Sequence, residues 1–379
     1  AAVGAGVIVS QSLGARDKQK TKLAVHTAMC IAIILGMIMS AIGVIFSRDL
    51  LVWMKTPSEV LDDSVLYLQI YCGGLIFNII YNMATGILNA AGNSKRPLIY
   101  LAIASVTNII LDLVFIKELK WGVKGAAIAT DISQALSCVL AVGYLLRVNS
   151  DYKLIIKELK IHGNTAKQII RVGLPTAIQN MVISFSNVLV QSSVNSYGAT
   201  AMAGYAAYLK IDGFNILPVL SISMAVTTFT GQNVGAKKPD RIKKGMWNAL
   251  IMGVIYTVII GVVLLLTSHT VLGLFTKDNE VITYGQLAMK YFCPFYFLLG
   301  ILNILAGTVR GAGKGVPPML ILLFSMCIFR ILWIKIALPF YSTIDGVFIL
   351  YPISWFVGMV LMIIYTKFGK WLPKGLNKS

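Results

Sequence analysis

Gln11-Ser-Leu-Gly-Ala15 returns 221 positions later as Gln232-Asn-Val-Gly-Ala236, and the correspondence continues in register. Glu59-Val60 meets Glu280-Val281, Asn82 and Gly86 meet Asn303 and Gly307, and Ala91-Gly92 with Pro97 meets Ala312-Gly313 with Pro318. Without a gap, 19 of the 87 pairs between 11–97 and 232–318 are identical, against roughly six expected from so biased a composition. The chain is therefore read as a duplication.

Composition says what is duplicated. Of 379 residues, 57% are hydrophobic and 13% charged, and the mean hydropathy is +0.78. Apolar runs of 20 or more residues are long enough to cross a bilayer core of roughly 30 Å at about 1.5 Å per helical residue. A soluble enzyme is excluded. Ten complete spans are expected, at about 23–46, 65–91, 98–116, 122–146, 169–196, 206–231, 245–267, 283–308, 317–340 and 346–366. The offset carries the leading apolar stub onto the sixth of these, an even number of crossings, so both copies share one orientation about an axis along the membrane normal. The expected fold class is an all-α polytopic membrane protein: two six-helix lobes related by a parallel repeat, with ten complete spans and a partial N-terminal one. The boundaries expected are 1–146 for the first lobe, 147–168 for an inter-lobe linker, 169–366 for the second lobe and 367–379 for a tail. The chain opens Ala1-Ala2-Val3 without Met, and Ala1 to Ser10 is too short to span, so the first lobe is expected to lack one whole span and part of the next.

Lys and Arg accumulate on the cytoplasmic side of short loops. Taking alternate loops, the set holding Arg16 to Lys22, Lys95 and Arg96, Arg147 to Arg171, Lys237 to Lys244, Arg310 with Lys314, and the tail contains 23 basic residues, and the opposite set six. That asymmetry places the C-terminus and 147–168 in the cytoplasm. It also accounts for the net charge of +18 without a nucleic-acid partner. The five cysteines, Cys30, Cys72, Cys138, Cys293 and Cys327, sit in apolar runs without metal-type spacing and read as small hydrophobes. Pro175, Pro218, Pro294, Pro339 and Pro352 fall within spans away from the first turn, where each removes a backbone donor and favours a bend.

Four segments carry a family likeness: Gly14-Ala15-Arg16, Asn89-Ala-Ala-Gly-Asn-Ser-Lys-Arg-Pro97, Gly173-Leu174-Pro175 and Gly231-Gln-Asn-Val-Gly-Ala-Lys237. In that order among the spans, they make the whole chain similar to the multidrug and toxic compound extrusion (MATE) family. The resemblance implies twelve spans in two lobes, a missing first span, and expulsion of organic, often cationic, compounds by antiport with sodium ions or protons. It implies a prokaryotic plasma-membrane protein acting on drug-like small molecules, here expected to be a monomer without a cofactor.

An ionisable group inside a span costs about 2.5–3.5 kcal/mol for Asp at a helix centre, and is a functional candidate by default. Asp112 follows Asn108 by four residues, so both project from one helical face. Across the short turn 117–121 the next span returns antiparallel and brings Thr130 to the same level. One carboxylate with neutral oxygens suits a hard monovalent cation, sodium in particular, or a proton held by a desolvated carboxyl. The resemblance adds that sodium- and proton-coupled prokaryotic members carry an Asn and an Asp four apart on the fifth span, a Thr on the sixth and an Asp on the first. The first three match Asn108, Asp112 and Thr130, and the last has no counterpart here.

Asp131, next to Thr130, points about 100° further round the helix, toward either the cavity or a neighbouring span, and is a candidate cavity residue with Arg330. Arg330 lies near the middle of its span, too deep to snorkel, and needs a partner or a wet cavity. Gln179 and Asn180 are candidate polar anchors for a substrate held mainly by aromatic and Met surface. Lys210, Asp212, Lys290 and Lys335 read as snorkelling or loop charges, and His26 as structural. Gly311-Ala-Gly-Lys-Gly315 lacks the Lys-Ser/Thr step of a phosphate loop. The expectation is secondary active efflux by alternating access. A lipid-linked precursor flippase of similar plan is the alternative, and would call for a basic cavity. An intramembrane enzyme would need paired carboxylates, a Ser-His pair or metal ligands in spans, and a pore would need a filter segment; neither is seen.

Overall fold

The computed structural model describes residues 1–341 and 343–373, so the end of the expected tail, 374–379, lies outside the described residues. The chain is almost wholly helical. In order run α1 Ala2–Gly14, α2 Lys18–Trp53, α3 Ser58–Ala90, α4 Lys95–Glu118, α5 Gly122–Arg147, α6 Gly163–Asn195, α7 Ala199–Gly235, α8 Pro239–Leu266, α9 Asn279–Gly311, α10 Val316–Phe340 and α11 Asp345–Phe368. A short helix, Ser268–Gly273, follows α8.

Among the described residues nine helices, α2 to α5 and α7 to α11, are long and apolar enough to cross a membrane. The expected span 169–196 falls in α6, which has the length, 33 residues, but is not one of the nine. Gln179, Asn180, Asn187 and Gln191 dilute its apolar character. Two of these meet polar partners, Gln179 with the half-buried Arg310 and Asn187 with the buried Arg330.

Local geometry recurs at the spacing seen in the sequence. Helices end at Gly14 and Gly235, start at Lys18 and Pro239, start at Ser58 and Asn279, end at Ala90 and Gly311, and start at Lys95 and Val316, each pair 221 positions apart. The turns match in detail. Arg16 and Lys237 both have φ of 55°, and Gly92 and Gly313 have φ of 78° and 85°. A left-handed residue at this place lets the next amides close on the last helical carbonyls: Asp17 N–H donates to Ser12 O, and Lys238 N–H to Asn233 O. Close helix crossings match as well. A Cβ on Gly86 would lie 2.8 Å from Ala2 O, and one on Gly307 would lie 2.6 Å from Ser223 O. Neither place has room for a side chain.

The chain divides into two compact units, Ala1–Gly173 and Leu174–Ser379. Unit 1 packs α2, α3 and α5 through small residues: Ala24, Ala28 and Ala32, Ala84, and Ala141 are fully buried. Without a hydrophobic drive between helices in lipid, such residues let backbones approach closely. The segment after α5 is fastened to α2. His26 is buried, its Nδ1 lies 2.7 Å from Lys22 O, and its Nε2 accepts from Ile155 N–H at 3.0 Å. The ring is thereby fixed as the Nδ1–H tautomer. Lys22 pairs with Glu158 at 2.6 Å, and His162 N–H donates to Thr27 Oγ1. His26 is structural, as its place suggests.

Unit 2 is built on aromatic packing instead. Phe292 of α9 meets Tyr208 of α7 and Tyr351 of α11, each with ring centroids 4.8 Å apart. The prolines act unequally. Pro175 and Pro218 lie inside uninterrupted helices. Pro294 sits in a 3₁₀ turn, Cys293–Phe295, and Pro339 in another, Leu338–Phe340. Pro352 falls in the first turn of Leu350–Phe368, after a break at Ile349, where a missing N–H costs least, contrary to the mid-span bend expected of it. Three stretches widen to i→i+5 winding: Leu113–Glu118 in α4, and Phe324–Ile328 and Trp333–Ala337 in α10. Such turns are uncommon and recur at functional sites.

Candidate functional site

Asp112 is the last α-helical residue before the widened stretch Leu113–Glu118. It and Asn108 are half-buried, and so is Thr130 on the antiparallel α5. Asp112 Oδ1 and Asn108 Nδ2 are inaccessible and have no hydrogen-bond partner. On α5, Asp131 Oδ1 and Gln134 Oε1 are in the same condition. A buried polar atom left unsatisfied costs about 1–3 kcal/mol. Three of these atoms are oxygens and one an amide nitrogen, and each favours a partner able to engage it.

A cavity of about 310 Å³ lies among α3, α4 and α5. Asn108 and Thr130 both line it, joined by Gln134 and Ser133 of α5 and by Asn78 and Asn82 of α3. Asn82 Nδ2 donates to Asn78 Oδ1 at 2.8 Å, which orients that amide pair. Thr130 Oγ1 donates to Ala126 O at 2.9 Å, leaving its lone pairs free to accept or coordinate. Asp112 and Asp131 are not among the lining residues. The carboxylate of Asp131 instead lies against the backbone at Gly74 of α3, occupying the space a side chain there would need. Asn78, Asn82 and Gln134 were not singled out from the sequence. An amide in an apolar run is a usable signal, but which face of the span it occupies is not legible without the packing.

Oxygen donors fit sodium: a carboxylate, a hydroxyl and side-chain amides are hard ligands of the kind such a cation takes. Among the described residues no cluster of three or more His, Cys, Asp or Glu is placed to hold a metal ion, so any ion here rests on one carboxylate and neutral oxygens.

In unit 2 the remaining candidates separate. Gln179 is buried, and its Oε1 accepts from Arg310 Nη2 at 3.3 Å, whereas Asn180 is exposed. Arg330 is 3% exposed, which settles whether it snorkels: it does not. Its partners are neutral. Nε donates to Ser354 Oγ at 3.1 Å, Nη1 to Asn187 Oδ1 at 3.1 Å, and the guanidinium lies 4.4 Å over the Tyr351 ring. Asp212 departs from the reading as a snorkelling or loop charge: its Oδ1 accepts from Tyr296 Oη at 2.8 Å. Tyr296 is 84 positions from Asp212, so the contact could not be read from spacing.

Comparison with known proteins agrees with this architecture. The family model MatE matches residues 1–114 and 175–334. A probable multidrug resistance protein, YoeA of Bacillus subtilis, is 28% identical over 99% of this chain and 82% of its own length. The probable multidrug resistance protein NorM of Thermotoga maritima is 25% identical over 96% of this chain and 78% of its own. A solved structure of a multidrug resistance MATE family transporter of the MOP superfamily, in an outward-facing conformation, superposes with a TM-score of 0.91 over 97% of this chain and 82% of that one, at 21% identity. With nine membrane-length apolar helices among the described residues and a family match across both units, the chain belongs to the MatE family of multi-pass membrane transporters.

Proposed function

We propose that this protein expels organic compounds, cationic or amphipathic and drug-like, by antiport with sodium ions or protons through alternating access. Asp112, Asn108 and Thr130 form the cation site. The observation that carries this reading is the buried, unpartnered Asp112 Oδ1, one turn of helix from an unpartnered Asn108 amide that lines the cavity with Thr130. Its relatives named as multidrug resistance proteins support the substrate class. The recurring local geometry 221 positions apart supports the two-lobe plan on which alternating access depends.

In this scheme the lobes comprise 1–146 and 169–366, and 147–168 joins them. The loop charge places that joining segment and the C-terminus in the cytoplasm. A single chain holding both lobes acts as the working unit. Gln134, Asn78 and Asn82 supply polar contacts to whichever solute fills the cavity. The cavity has no basic residue in its lining, which weighs against the flippase reading, since a lipid-linked phosphate would call for one.

The test is cation-driven export in proteoliposomes. Asp112→Asn is expected to abolish export driven by a sodium or proton gradient while leaving the protein folded. Full transport by that variant would reject the assignment.

A further inference from the structure

Unit 1 carries another cavity, of about 410 Å³, where the segment after α5 is fastened to the start of α2. Hydrogen bonds fix its wall. Leu154 N–H donates to Leu145 O at 2.9 Å, Ile155 N–H to His26 Nε2 at 3.0 Å, and His162 N–H to Thr27 Oγ1 at 3.2 Å. Between these ties a 3₁₀ turn, Ile156–Glu158, and the residues after it bring Lys157, Lys160 and His162 into the lining, where Gln19 and Lys22 of α2 join them.

Three lysines and one glutamate line this cavity. The glutamate is already neutralised: Lys22 Nζ lies 2.8 Å from Glu158 Oε1 and 2.6 Å from Oε2. Both ring nitrogens of His26 are engaged, by Lys22 O and Ile155 N–H. Lys157 and Lys160 are exposed, and among the described residues neither pairs with a carboxylate. The cavity therefore presents two uncompensated ammonium groups, with the His162 ring and the Gln19 amide as further donors. Such a set is matched to a phosphate oxyanion carrying a hydroxylated group.

The surroundings select the source of that phosphate. The expected span within α2 begins at about 23, so a cavity lined by Gln19, Leu23 and His26 straddles the edge of the bilayer. Ile156 and Ile161 flank the lysines and are 65% and 44% exposed. Apolar side chains so placed enter the acyl boundary while neighbouring ammonium groups stay at the level of the headgroups. We propose that unit 1 binds the headgroup of an anionic phospholipid in this cavity, with Lys157 and Lys160 on the phosphate and Gln19 and His162 on the headgroup hydroxyls. The orientation proposed from loop charge puts this face at the cytoplasmic leaflet, where anionic lipids attract basic segments. The lipid is held rather than carried, since the site shares no lining residue with the cavity of Asn108 and Thr130. By touching both α2 and the 155–162 segment, it stabilises the fastening between them.

The test takes the full chain in detergent, adds phosphatidylglycerol, and reads retained lipid by native mass spectrometry together with the unfolding midpoint. Retention of the lipid with a raised midpoint is expected, and neither phosphatidylcholine of the same tails nor soluble glycerol phosphate should reproduce it. Lys157→Gln/Lys160→Gln removes exposed, unpaired ammonium groups and so leaves the fold intact. It should weaken the phosphatidylglycerol response about 25-fold, roughly fivefold for each lysine at an anionic surface. Lys153→Gln/Lys167→Gln removes as much charge from exposed lysines outside the cavity and should leave the response nearly unchanged. Equal losses in the two double variants, an unchanged response in Lys157→Gln/Lys160→Gln, or glycerol phosphate matching the lipid would each overturn the proposal. These readouts involve neither Asp112 nor transport, so their failure and that of the efflux reading are separate.

Discussion

Gly74 and Asp131 share one space: the Asp131 carboxylate lies where a side chain on Gly74 would project from α3. Overpacking a filled site costs about 1–3 kcal/mol, and Gly74→Ala is expected to lower stability by that amount. Thermal unfolding in detergent measures it. The double variant Gly74→Ala/Asp131→Ala should lose less than the two singles together, since removing the carboxylate frees the room the methyl needs.

The matched crossings give a second expectation. Gly86→Ala and Gly307→Ala each push a Cβ into a carbonyl oxygen, Ala2 O and Ser223 O. Backbone cannot yield as a side-chain tip does, so each variant should lose roughly 1–3 kcal/mol. Equal unfolding midpoints for wild type and either variant would contradict the packing described.

Thr130→Val preserves shape and removes the hydroxyl that lines the cavity. Among the described residues its hydroxyl bonds to Ala126 O within its own helix, so stability should change by no more than about 1 kcal/mol. Affinity for the coupling cation should fall about tenfold, read by calorimetry or by the cation dependence of transport. Unchanged cation dependence would remove Thr130 from the site.

Arg330→Lys keeps the charge and loses the fork. A single ammonium cannot serve Ser354 Oγ and Asn187 Oδ1 together or lie flat over Tyr351. Stability is expected to drop by about 1–3 kcal/mol, seen as an earlier unfolding midpoint.

At the start of α2, Asp17 accepts from Lys20 N–H at 3.0 Å, and this bond with the nearby Lys20 ammonium holds its carboxyl below the usual carboxylate range. A depressed folded value means the cap's contribution is present above the ordinary carboxylate range and is lost as pH falls through the folded value. Asp17→Asn should therefore flatten the stability profile only below about pH 4, as followed by circular dichroism.

The apolar runs, the Gly-Ala turns and the repeat were legible because lipid forces helices of fixed length and the turns demand particular residues. Asp112 and Asn108 stood out for the same reason: a polar pair four apart in a hydrophobic stretch has few bland explanations. What the sequence hid depends on packing between distant helices. Arg330 finds Asn187 143 positions away and Ser354 24 away, and no spacing rule links them. Asp212 looked peripheral by its distance from a span end, yet Tyr296 of α9 closes on it.

The widened winding at Leu113–Glu118 begins immediately beyond Asp112, and two such turns flank Arg330. A turn of this kind holds one residue more than the ordinary helical repeat. Were it to tighten, everything beyond would swivel by about 100° while Asn108 and Asp112 stayed put, giving the bundle a ratchet that reorients one end of a rod without dislodging the other.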